Sequence, residues 1–171
     1  MCVLTRDEIV RELESGRLRI EPLEPDQIGP ASIDLHLGSE LRVMKPGENG
    51  PIPVKEDTDP VELTELVELD DPYVLEPGQT VHGVTRETIH LPANLCGWLE
   101  GRSRIARLGL TIHVTSGFVH PGVSNRQVLE LANVSAVPLA LYADVRICQI
   151  VLERTEGEAV YRGRFAEQVS P

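Results

Sequence analysis

Turn residues interrupt this chain too often for it to build long helices. Glu76-Pro77-Gly78, His120-Pro121-Gly122 and Ser135-Ala136 separate short apolar runs at Tyr73 to Leu75, Thr80 to Val84, Leu110 to Val114, Gln127 to Val134, Pro138 to Tyr142 and Val145 to Leu152. From Ile33 the residues alternate, with Ile33, Leu35 and Leu37 on one side and Asp34 and His36 on the other. Many short strands at regular spacing predict a mainly β fold, a sandwich, jelly roll or barrel. The exception lies near the N-terminus. Thr5-Arg6-Asp7-Glu8 reads as a capping box, Ile9, Val10 and Leu13 share a face, and Gly16 supplies a stop, predicting the one substantial helix. Residues 44–73 are proline-rich and acidic and predict a long surface excursion packing on a neighbouring subunit.

A length of 171 residues suits a single domain, 1–171, with its own core. The formal net charge of −11 argues against broad binding to nucleic acid or an anionic membrane, either of which needs basic surface. No apolar run has the length of a membrane span or of a signal-peptide core. Cys2, Cys96 and Cys148 are odd in number and far apart, as expected of reduced thiols in a cytoplasmic protein.

Against that acidic background, Arg102, Arg104 and Arg107 fall within six positions. Ser103 is a good N-cap, Ile105 and Leu108 can turn inward, and Gly109 can close a helical turn in the left-handed conformation. Read from the residues alone, the turn is either an anion site, best suited to phosphate, or a charged surface helix with its arginines in solvent. Glu130 is the second candidate. Leu129 and Leu131 take one face of its strand, and Val128 and Ala132 share the other with it, so the carboxylate is either partly desolvated or an outward glutamate facing water. Desolvation would move it toward acid–base use. His113 reads as a structural histidine, and Trp98 as a core or interface residue. Zinc-ligand spacing, a Walker loop and a nucleophilic serine elbow are absent from the sequence.

Four segments, Ile28-Gly29-Pro30-Ala31-Ser32-Ile33-Asp34-Leu35, Leu99-Glu100-Gly101-Arg102-Ser103-Arg104-Ile105-Ala106-Arg107-Leu108-Gly109-Leu110, Thr115-Ser116-Gly117-Phe118-Val119-His120-Pro121-Gly122 and Val128-Leu129-Glu130-Leu131, resemble the dCTP deaminases of the trimeric dUTPase-like superfamily. The similarity runs from the N-terminal helix to about Gln168. It implies a distorted jelly roll or β-barrel of the dUTPase-like type with a short N-terminal helix. It also implies a homotrimer with active sites between subunits and metal-free deamination of dCTP at cytosine C4. Glu130 matches the catalytic glutamate, and Ser103 and Arg107 match residues that hold the water, the base and Glu130. Arg102, Arg104, Ile105 and Ala106 lie in the segment that holds the triphosphate. Val128 and Leu129 match contacts near the base and sugar, and Gln149 matches a nucleotide contact. Tyr161, Arg164 and Gln168 match the segment that closes over the phosphates. Magnesium would ride on the triphosphate, with no protein metal site and no zinc.

The chain departs from the family at His120, where an aspartate faces the sugar, at Asn125, where glycine is usual, and at Ala143-Asp144, which replaces Pro-Gly. It ends at Pro171, which on the resemblance shortens the closing segment. The leading expectation is conversion of dCTP to dUTP and ammonia. The alternatives are a bifunctional deaminase–diphosphatase or a dUTPase, and a catalytically impaired nucleotide-binding homologue. Thr115-Ser116-Gly117-Phe118 looks more like the bifunctional branch, and His120 speaks against the diphosphatase step.

Overall fold

The alternating runs become strands of one large sheet. The structure, a computed structural model, describes residues 2–45, 47, 51–113, 115–163, 165–166 and 168–171. In chain order the elements are α1 (Arg6–Glu14), β1 (Arg19–Glu21), β2 (Ile33–Met44), α2 (Pro60–Leu63), β3 (Thr64–Glu68), β4 (Tyr73–Leu75), β5 (Thr80–His90) and β6 (Leu95–Gly101). They continue with α3 (Ser103–Ala106), β7 (Leu110–Thr111), β8 (Phe118–Val119), β9 (Ser124–Asn133), β10 (Leu139–Leu141) and β11 (Arg146–Arg154). The main sheet runs β7-β9-β5-β2-β11-β6-β8, with β1 added to β5 and β3 to β2, and β10 pairs with β4 in a second, two-stranded sheet. The expected β architecture with a short N-terminal helix is what forms.

The core follows the period-two pattern. Ile33, Leu35, Leu37 and Leu41 of β2, Leu129 and Leu131 of β9 and Ile150 and Leu152 of β11 are all fully buried. Each such side chain contributes about 1.5–3 kcal/mol relative to exposure, which fixes the register of the sheet. Glu130 therefore has to take the opposite face from Leu129 and Leu131.

Several sequence expectations need correction. Residues 44–73 are not wholly a surface excursion: β3 returns and pairs with β2 from Glu40↔Glu68 to Met44↔Thr64. The acidic residues masked an alternating segment whose Thr64 is buried and whose exit leads to buried Leu69. Thr5 stands at the N-cap of α1 with extended backbone but its side chain makes no cap bond, and Glu8 pairs with Arg11 and Arg154 instead of completing a capping box. Arg102, not Ser103, is the N-cap of α3, and Leu108 is 58% exposed instead of turned inward. Strand β5 runs on to His90, and β1, β6 and β8 lie outside the runs read from sequence. Of the run Leu110 to Val114 only Leu110–Thr111 is strand; Val114 lies outside the described residues.

Two polar groups are buried against expectation. Glu12 is fully buried on α1 and accepts from Arg17 Nε at 2.9 Å and from Arg154 at 2.8 Å. His36, assigned to the polar side of β2, is buried against Glu87, with Nδ1 at 2.5 Å from the carboxylate, and its backbone N–H donates to the same group at 2.9 Å. Both faces of β2 are covered here, so the inward polar residues are paired rather than hydrated. No described helix is long and apolar enough to cross a membrane.

Candidate active site

Glu130 opens onto a cavity of about 740 Å³. The half-buried carboxylate accepts a hydrogen bond from Thr115 Oγ1, and its own backbone N–H donates to His113 Nδ1 at 3.4 Å. His113 thus acts as an acceptor for the main chain, which fits the structural reading of that residue. Thr115 has no counterpart among the expected site residues, although its motif was noted. It fixes one carboxylate oxygen and leaves the other side of the group toward the cavity.

The cavity is lined by Val128, His120, Tyr161 and Gln168, all expected at the site from sequence, by Asn125, noted there only as a departure, and by His82, Arg42 and Arg126, which sequence did not single out. The His120 ring stacks on Tyr161 with centroids 5.1 Å apart and planes 8° apart, and meets Phe118 edge-on at 4.7 Å. Phe118 in turn packs on Trp98 at 4.9 Å, and Trp98 keeps 41% of its surface exposed. The imidazole is therefore held between two aromatic rings while its edge stays accessible. His82 is half-buried in the same wall; burial pushes its imidazole below the ordinary histidine range and Arg42 adds to that, while Glu130 pulls the other way. Leu129 is fully buried beneath the strand, so only its backbone is available at the site.

The C-terminal segment crosses this cavity. Asn125 Nδ2 donates to the Phe165 carbonyl at 2.7 Å, Arg126 donates to the carbonyls of Gln168 at 3.2 Å and Val169 at 3.1 Å, and Arg42 Nε donates to that of Pro171. Asn125, where the resemblance expects glycine, thus supplies a side-chain tether for the segment. Arg164 lies outside the described residues.

The arginine turn forms a second, separate group. Arg102 is half-buried, pairs with Asp34 at 2.9 Å and donates to the Arg146 carbonyl at 2.9 Å. Gln149, on β11, accepts from Ser32 Oγ at 2.7 Å and donates to the Gly101 carbonyl at 3.2 Å. Ser103, Arg104, Ala106 and Arg107 are exposed, and Ile105 is half-buried. Among the described residues, none from Arg102 to Arg107 lines the Glu130 cavity, and neither does Gln149. Strands β9 and β11 are separated by β5 and β2, about 14 Å along the sheet at normal strand spacing. The arginine turn itself leads into β7, which pairs with β9 beyond Glu130 at Leu110↔Asn133 and Thr111↔Ala132, and its arginines stay outside the cavity. Beside the turn, Ile105, Leu108, Leu139, Tyr142 and Ile147 line an apolar groove of about 290 Å³, with Leu108 and Tyr142 more than half exposed. Among the described residues, no group of three or more His, Cys, Asp or Glu side chains is arranged to hold a metal ion.

This sheet order belongs to a class of β folds shared with dUTPases. The native dUTPase of EIAV superposes with a TM-score of 0.53 at 15% identity, covering 85% of this chain and 95% of that one. The chain belongs to the dCTP deaminase-like family, whose model matches residues 3–155. It is 40% identical to a dUMP-forming dCTP deaminase of Parafrankia sp. (strain EAN1pec), over 99% of this chain and 88% of the relative. It is 41% identical to one of Dictyoglomus thermophilum, over 86% and 78%. The 2'-deoxycytidine 5'-triphosphate deaminase of Agrobacterium tumefaciens superposes with a TM-score of 0.69 at 26% identity, and the present chain covers about half of it, 48%, with 90% of its own length.

Proposed function

We propose that this chain is an enzyme that deaminates dCTP hydrolytically at cytosine C4, giving dUTP and ammonia. The observation that carries the proposal is Glu130, half-buried in the cavity and anchored by Thr115 on a chain of the dCTP deaminase-like family. In this reading the carboxylate takes a proton from water as the oxygen bonds to C4 and passes it to the ring nitrogen, then takes the second proton from the new C4 hydroxyl and gives it to the amine as the C4–N bond breaks and ammonia leaves. A general base of this kind needs no metal-bound hydroxide. Magnesium travels with the triphosphate.

The separation of Glu130 from the arginine turn supports a homotrimer in which Ser103 and Arg107 reach the carboxylate of a neighbouring subunit, with Arg102 and Arg104 on the phosphates. The apolar groove next to that turn is the surface such packing would cover. His120, Tyr161 and Gln168 would then hold sugar and phosphates from the carboxylate's side, with backbone contacts at Val128 and Leu129, Gln149 from the arginine side, and Arg164 as the resemblance implies. The free thiols Cys2, Cys96 and Cys148 favour the cytoplasm as compartment.

A second reading, continued hydrolysis of dUTP to dUMP, is favoured by the names of the relatives, which are dUMP-forming. His120 opposes it, because a neutral imidazole cannot place a negative charge beside an attacking water. Incubation with dCTP and magnesium, then with dUTP alone, followed by nucleotide separation, decides between them. Accumulating dUTP supports the first reading, and dUMP with pyrophosphate from the unmodified protein supports the second. His120→Asp should then introduce dUTP hydrolysis.

A further inference from the structure

Arg42, His82 and Glu130 form one row across three neighbouring strands. Arg42 of β2 is the register partner of His82 of β5, and His82 is that of Glu130 of β9. Partners in antiparallel register project to the same face with Cβ atoms about 5 Å apart, and all three side chains line the Glu130 cavity. Thr115, which holds the carboxylate from the other side, carries no charge and cannot change its ionisation. His82 can.

We propose that His82 is a positioning residue for Glu130, controlling the charge and orientation of that carboxylate from the adjoining strand. This rests on the reading of Glu130 as the general base. As neutral imidazole, His82 leaves Glu130 free to take a proton from water. As imidazolium it pairs with the carboxylate, draws it from its place on Thr115 and lowers its basicity, so the base is withheld. Turnover therefore falls on the acid side as His82 gains its proton.

Other charges around the imidazole set where this happens. Arg42 on β2 opposes protonation and Glu130 on β9 favours it, while burial in the wall opposes it. Arg126, further along β9, is paired with Glu40 of β2 at 3.5 Å. Asp59, His113, His120 and Tyr161 also line the cavity. Burial and Arg42 together keep His82 neutral through most of the range near pH 7, where the base is needed.

The test compares the parent chain, His82→Gln and Glu130→Gln. Turnover of dCTP is measured from pH 5 to 9, and the His82 ring proton is followed by NMR over the same range. The chain has five histidines, and the resonance lost in His82→Gln identifies the one to follow. In His82→Gln the acid limb of turnover should move to lower pH. In Glu130→Gln, loss of the neighbouring negative charge should lower the His82 midpoint. An acid limb unmoved in His82→Gln, or a midpoint unmoved in Glu130→Gln, overturns the proposal. Turnover that survives Glu130→Gln overturns the base assignment itself, a result the other arms do not give.

Discussion

At the scale of single residues, the chain places carboxylates where solvent alone would not hold them, and each has a different partner. Glu130 has a neutral hydroxyl at its oxygen, whereas Glu12 has two guanidinium groups. The hydrogen bond from Arg17, with Arg154 beside it, holds the Glu12 carboxyl below the ordinary glutamate range even though burial works against this. A carboxyl depressed in the folded state stabilises the fold above its unfolded pKa, and that contribution is lost as pH falls through the folded value. Glu12→Gln should therefore cost about 1–3 kcal/mol at pH 7, the scale of hydrogen bonds to charged groups. Its deficit against the parent should shrink as the pH falls below about 4.5, which unfolding curves at matched pH will show. The two arginines are partly exposed and regain water in the variant, so the loss stays below that of a stranded buried charge. Glu130 was legible in the sequence because apolar neighbours two apart fix which face it takes. Glu12 was not, because Arg154 reaches it from 142 residues away. His82 escaped notice for a related reason: its outlook depends on strand register, which pattern alone does not give.

Among the elements, the strands with clean alternation were readable from sequence, and those whose ladders are set by distant partners were not. Strand β3 was hidden in an acidic stretch and is defined by its pairing with β2. Strand β6 carries Gly97 and Trp98 between its leucines and owes its place to pairing with β11 along Leu95 to Gly101. The arginine turn was legible as a cluster, but not its division of labour. Arg102 is committed to Asp34, while Arg104 and Arg107 remain exposed. Arg104→Ala is thus the cleaner probe of phosphate binding. It should weaken dCTP much more than deoxycytidine, and added salt should narrow the difference; equal losses for both would assign Arg104 to folding. Gly109 ends the same turn at φ +85°, and a Cβ there would stand 2.6 Å from Ser135 Cβ. Gly109→Ala should cost more than ~1 kcal/mol in denaturant unfolding, since both the backbone conformation and the space oppose it.

For the whole molecule, the separation of the two functional groups is the main finding. One chain brings Glu130, His120 and Tyr161 to a cavity, with Thr115 on the carboxylate, and keeps Ser103, Arg104 and Arg107 exposed and outside that cavity. Both groups were legible in the sequence as residues, and the resemblance implied sites between subunits, but order along the chain does not reveal which surfaces meet. If the site forms between subunits, Glu130→Gln and Arg107→Ala chains, each inactive alone, should complement when mixed and reassembled. In a cyclic trimer at equal mixing about one quarter of the sites regain both intact residues. Absence of any recovery would place Arg107 and Glu130 in the same chain's site. The role of Glu130 in deamination is read by comparing the parent and Glu130→Gln with dCTP, following both ammonia release and nucleotide binding. Glu130→Gln should bind dCTP nearly as the parent does and release ammonia ~100-fold more slowly or worse, the usual scale for a lost general base. Ammonia release from Glu130→Gln at close to the parent rate would contradict that role.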